Sequence, residues 1–257
     1  MEEQPLVALG GGRVVDTAKA IAGARGSRSA AIPTTLSGAE MTGFHRLPVG
    51  VEGARMTRPA LVVADPDLMA TQDPPALAAS AMNALGHAME SLYTPFANPV
   101  TEMAALRAAE LIANGLPGDK RGELALAALL GGYASATAGI AGHHAVCQTI
   151  VRVAGTPHAQ TNAVMLPHFA ALMATRAPAA MGALTEALGD PGGTPDAAAA
   201  AIARLAARSG HVRLSTLGVE EEQLPAVVEA VLQHPAAANT PDPPGADELS
   251  ALLERAL

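Results

Sequence analysis

ALGGGRVVDTAKAIAG, residues 8–23, joins an apolar run to a helix through three consecutive glycines. The run begins at Pro5 and stops at Gly10, and from about Val14 to Ala24 apolar residues fall at helical spacing. Strand, glycine turn and helix, in that order, set backbone N–H groups and a helix N-terminus where they can hold a phosphate. An unliganded tight turn accounts for three glycines nearly as well, so the reading depends on what surrounds them.

Working outward, SAAIPTTL (29–36) and ALVVADP (60–66) are two further apolar runs, closed by Pro-Thr-Thr and Asp-Pro. With the first run they predict three buried strands. From about Pro75 onward strand signals vanish: PALAASAMNALGHAMESLY (75–93), TEMAALRAAELIAN (101–114), GELALAALLGGYASATAGI (122–140) and PDAAAAAIARLAARSG (195–210) repeat apolar residues at helical spacing. The expected organisation is an α/β segment over 1–75 and an all-helical domain over 76–257. PGGTPD (191–196) and HPAAANTPDPPGAD (234–247) read as connectors, and the abundant alanine as close helix packing.

Composition narrows the chemistry. Of 257 residues 49% are apolar, enough for a substantial core. No apolar run is long enough to span a bilayer, and the acidic start is unlike a signal peptide, so a cytoplasmic protein without a membrane partner is expected. The net charge is −8, with two lysines, Lys19 and Lys120, and scattered arginines. No clustered basic face for a nucleic acid follows from that. Cys147 is the sole cysteine, which excludes an internal disulfide or a thiolate zinc cluster, so a metal would need His, Asp or Glu.

Two segments concentrate polar groups. IPTTLSGAEMT (32–42) follows a strand with hydroxyls, a glycine and a carboxylate, which suits a ligand's phosphate or ribose and equally an ordinary helix cap. SAMNALGHAME (80–90) places Asn83 and His87 four apart on one helix face, with Glu90 a turn further on. GHHAVCQTIVRVAGTPHAQTN (142–162) gathers His143, His144 and His158, with Gln148 four residues after His144 and His158 in a proline-led turn.

In this order the blocks GGGRVVDTAK, IPTTLSGAEMT, LVVADPDL, SAMNALGHAME and HHAVCQTIVRVAGTPHAQTNAVMLPH, with an echo in NTPDPP, resemble the iron-containing alcohol dehydrogenase superfamily. The maleylacetate reductase branch is the most similar. The resemblance implies a dehydroquinate synthase/iron-containing alcohol dehydrogenase-like fold: a dinucleotide-binding α/β part, here with a truncated parallel sheet, and a C-terminal helical domain with the active site in the cleft between them. It implies NAD(P) contacts at Gly10, Gly11, Gly12, Asp16, Thr34 and Thr35. It also matches the family's one-Asp, three-His metal set to Asn83, His87, Gln148 and His158. Asparagine at the first of these positions is similar to the maleylacetate reductases, which need no metal.

The departures shape the functional expectation. Family members carry further strands and helices before the glycine turn. Arg13 stands where they have a small hydroxyl residue, Ala39 replaces a hydroxyl, Gln148 is a weak ligand, and TIVRV (149–153) replaces an open Leu-Gly-Gly segment. The resulting expectation is an enzyme with the family cleft turned to non-redox acid–base chemistry, as isomerase, lyase or cyclase, on a carbonyl, enol or unsaturated acid. His87, His144 and His158 are its candidate acid–base groups, Asn83 and Gln148 its hydrogen-bonding groups, and Arg13, Arg152, Thr34 and Thr35 its substrate contacts. No cofactor and no metal are favoured, with NAD(P)H as the alternative in a maleylacetate reductase-type oxidoreductase. A non-catalytic binding protein is the third reading. An exposed sheet edge predicts a homodimer.

Overall fold

The computed structural model describes residues 4–45, 55–69 and 71–257; residues 1–3, which carry the acidic start, lie outside them. Three strands, β1 (Leu6–Gly10), β2 (Ser29–Pro33) and β3 (Leu61–Val62), form a parallel sheet in the order β1-β2-β3. Leu6 pairs with Ser29 and Ala30 with Leu61. The third strand is only two residues long, and the chain after it enters α2 at Pro66. α1 (Gly12–Arg25) starts two residues before the sequence pattern predicts and packs on one sheet face through Val15, against Ala8 and Ala31.

Every later element is helical: α2 (Pro66–Met69), α3 (Pro74–Glu90), α4 (Pro99–Gly115), α5 (Arg121–Ala138), α6 (Gly142–Ala154), α7 (His158–Arg176), α8 (Pro178–Ala187), α9 (Ala197–Ala206), α10 (Leu224–Leu232) and α11 (Ala246–Ala256). Their starts are written locally. Asp73 accepts the Ala76 N–H at 3.2 Å ahead of α3, and Asn98 and Thr101 form a reciprocal capping box on α4. α3 buries thirteen of its seventeen residues, which marks it as the central helix, packed by α4, α5 and α7. Its alanines let those neighbours approach closely, and Asn83 and Glu90 are carried into the interior with them. The expected fold class is the one observed. His158 is the first residue of α7, and so belongs to a helix start where a turn was predicted.

Candidate functional site

At the glycine turn, Gly10 has φ +154°, and its carbonyl accepts the Thr34 N–H at 3.1 Å, so the end of β1 is stitched to the end of β2. A Cβ on Gly11 would lie 3.0 Å from Thr35 Cγ2, and one on Gly12 would lie 2.9 Å from Ser37 Oγ. The space between turn and loop therefore exists only because side chains are absent. α1 begins there with no side-chain cap and no acidic residue in its first turn. Thr35 Oγ1 is buried beside it with no hydrogen-bond partner among the described residues. Free N–H groups, a positive helix end and a spare hydroxyl make a receptor for an anion. Arg13 is exposed on the first turn of α1.

Lys19, fully buried, holds the loop that forms the other wall. Its Nζ donates to the carbonyls of Ala39 (2.8 Å), Thr42 (3.2 Å) and Phe44 (2.6 Å), and pairs with Asp16 at 2.8 Å. Burial lowers its pKa, and Asp16 works against that. Asp16 is thus engaged with Lys19. Glu40, in the same loop, is buried with neither carboxylate oxygen bonded to another described residue, and burial raises its pKa to about 7.

The second wall comes from α3, α6 and α7. His87 on α3 stacks on His144 of α6, with ring centroids 4.1 Å apart and planes 15° from parallel. His143 meets His144 edge-on at 5.0 Å. This contact requires Gly86, since a Cβ there would lie 2.9 Å from His143 Nε2. Asn162 of α7 lies between His143 and His158: its Oδ1 is 2.9 Å from His143 Nε2, and its Nδ2 is 3.3 Å from His158 Nε2. Glu90 Oε2 is 2.7 Å from His144 Nδ1. Burial drives His143 and His144 down to about 3, and His87 well below its ordinary value, with His144 adding to the depression of His87. These imidazoles are neutral at neutral pH. Asn83 Oδ1, His87 Nδ1 and His144 Nε2 are buried without partners among the described residues.

Ser37 joins the two walls. Its hydroxyl faces Gly12, and its carbonyl accepts the Asn83 amide at 3.2 Å.

The structure thus brings together Asn83, His87, His144 and His158. It does not bring Gln148, which is exposed on α6 and lies outside the cluster, so Gln148 does not join the polar groups with which the resemblance matched it. Arg152 is exposed on the last turn of α6, near enough to His234 to help lower its pKa, although burial has the larger effect. Glu90, His143 and Asn162 were not among the sequence candidates. Glu90 was signalled only by lying three residues beyond His87, and Asn162 by lying four beyond His158, each about one helical turn.

Residues 77–257 match the C-terminal model of the Fe-containing alcohol dehydrogenase family. The chain belongs to that family. It is 37% identical over 211 residues to maleylacetate reductase 2 of Cupriavidus pinatubonensis, a match covering 77% of this chain and 58% of the relative. With maleylacetate reductase 1 of Rhodococcus opacus it shares 34% over 248 residues, 91% of this chain and 68% of the relative. The crystal structure of an iron-containing alcohol dehydrogenase from Corynebacterium glutamicum superposes with a TM-score of 0.90 at 32% identity, over 100% of this chain and 74% of that one. The chain spans about three fifths of the length of the first of these relatives.

These findings correct the expectation that no cofactor is favoured. The family is one of dehydrogenases named for iron, and its relatives here are reductases, whose activity requires an electron donor. They also support the reductase reading over the non-redox one. Iron itself does not suit the arrangement of these side chains. A ligated metal lies in the plane of each imidazole that binds it, and the near-parallel stacked planes of His87 and His144 share no such point. Among the described residues no group of three or more His, Cys, Asp or Glu is arranged to hold an ion.

Proposed function

We propose that this chain acts as an NAD(P)H-dependent reductase of the maleylacetate reductase type, on a small oxo or unsaturated acid. The observation that carries the proposal is Ser37, which touches both the glycine turn and, through Asn83, the imidazole cluster, so that one ligand can reach from an anion receptor to a set of proton-handling groups. The glycine turn fits a dinucleotide phosphate: Gly10, Gly11, Gly12, Thr34 and Thr35 would hold it, and the Lys19–Asp16 pair keeps the facing loop in place. When bound, the reduced nicotinamide supplies a hydride.

The chain's own groups handle the proton. Hydride addition leaves negative charge on the substrate, and a neutral imidazole N–H of His87 or His158 can answer it, with the Asn83 amide as neighbour. The cluster's burial keeps bulk water from competing. Arg13 and Arg152, both exposed, are the proposed contacts for substrate carboxylates. We further treat 1–75 as the nucleotide-side segment and 76–257 as the catalytic helical domain, a division supported by a family match that begins at residue 77.

Titration of the intact protein with NADH and NADPH, followed by nucleotide fluorescence, tests the reading. Binding is expected, and Gly11→Ala, whose new methyl group would press on Thr35, should weaken it about tenfold with little change in melting temperature. Absence of binding at millimolar nucleotide would overturn the proposal.

A further inference from the structure

α6 starts without a cap of its own, since the residue before it is Ala141. Two distant side chains meet its free N–H groups. Gly142 N donates to Thr240 Oγ1 at 2.9 Å, and His144 N donates to Glu90 Oε1 at 3.1 Å. The other Glu90 oxygen, Oε2, lies 2.7 Å from His144 Nδ1. One fully buried carboxylate from α3 therefore holds both the backbone and the ring of a single residue on α6.

The proton count follows from the donors. Burial raises the Glu90 pKa above its ordinary value, and the backbone N–H groups of Ala141 and His144 work against that, favouring the anion. The positive end of α6 adds to the second side, and the contacts are those of an accepting carboxylate: Oε1 takes the His144 backbone N–H at 3.1 Å while Oε2 lies 2.7 Å from the ring nitrogen. An ionised carboxylate only accepts, so the hydrogen on the short contact belongs to Nδ1. His144 then has a bare lone pair at Nε2, the atom that has no partner among the described residues.

We propose that Glu90 is a positioning residue that caps α6 from outside and, with its second oxygen, fixes His144 as the Nδ1–H tautomer, so that an unprotonated Nε2 faces the cluster as a hydrogen-bond acceptor. For the reaction, this inference rests on the reductase reading: His144 receives a donor hydrogen, from an enol, a hydroxyl or a bound water, and proton donation falls to His87 or His158.

Glu90→Gln tests the two roles separately, because its carbonyl oxygen can still accept the His144 N–H and keep the cap, whereas its amide N–H₂ faces Nδ1 and drives the ring hydrogen to Nε2. Nitrogen-15 NMR of the histidine side chains should find His144 protonated at Nδ1 in the wild type and at Nε2 in the variant. The expected kinetic effect is a kcat loss of about 10- to 100-fold, the range for partners that orient a functional imidazole, with KM for the nucleotide unchanged. An unchanged tautomer in a folded Glu90→Gln protein, or an Nε2–H tautomer in the wild type, overturns the inference, and the second readout stands even if the variant does not fold. The NMR result is independent of turnover, so a wild type that oxidises no NAD(P)H would defeat the reductase reading and leave the tautomer assignment intact.

Discussion

Three imidazoles buried without charge give the protein a pH dependence that single residues explain. His143 and His144, pulled down to about 3 by burial, and His87, also depressed, bind protons in the unfolded chain but not in the folded one as the pH falls below their ordinary value. The stability they contribute is fully present above pH 6.5 and is lost on acidification, by about 1.4 kcal/mol per pH unit for each such group. Glu40 has the opposite sign: raised from 4.5 to about 7, it takes stability away as pH rises across that window. The melting temperature should therefore peak near pH 6.5, fall steeply towards pH 4 and decline gently towards pH 7. Glu40→Gln should lessen the gentle decline and leave the acid limb in place. A melting temperature flat between pH 4 and 6.5 would mean that the imidazoles are solvated, and that the cluster is not the closed arrangement described.

Helix starts determine how the cluster is assembled, and they divide into those visible in the sequence and those that are not. Asp73 with two prolines, and Asn98 with Pro99 and Thr101, announce α3 and α4 locally. α6 has no such signal, because its caps lie far along the chain, at Glu90 and Thr240. Thr240 belongs to the NTPDPP block that resembles the family, and its hydroxyl satisfies the first N–H of the helix that carries His143 and His144, which gives the block a physical role. Replacing Thr240 by Val keeps the shape and strands a buried N–H, so chemical denaturation should show a loss of about 1–2 kcal/mol. No loss would mean that another acceptor serves Gly142. The same distinction explains Gln148. Helical spacing from His144 put the two residues on one face, but Gln148 lies a full turn further along α6, where its side chain is exposed while that of His144 is buried.

Across the whole molecule, the strand–glycine–helix order and the switch to helical periodicity near residue 75 made the architecture readable from sequence alone, since both are local patterns. What the sheet leaves open was readable only in part. Val7 (67% exposed), Leu9 (60%) and Leu61 (59%) present an apolar face that parallel sheets keep covered. We propose a second copy of the chain as the cover. Sedimentation at micromolar concentration should give a dimer, and a stable monomer would refute it. The central claim, that this cleft performs nicotinamide-dependent reduction, is tested most directly by following reduced-nicotinamide absorbance with purified protein and maleylacetate, alongside the His87→Ala and His158→Ala variants. The account predicts substrate-dependent oxidation of NADH or NADPH, one equivalent per substrate consumed, slowed about 100-fold or more by one or both substitutions. Substrate consumed at the same rate with no reduced nucleotide present would contradict it.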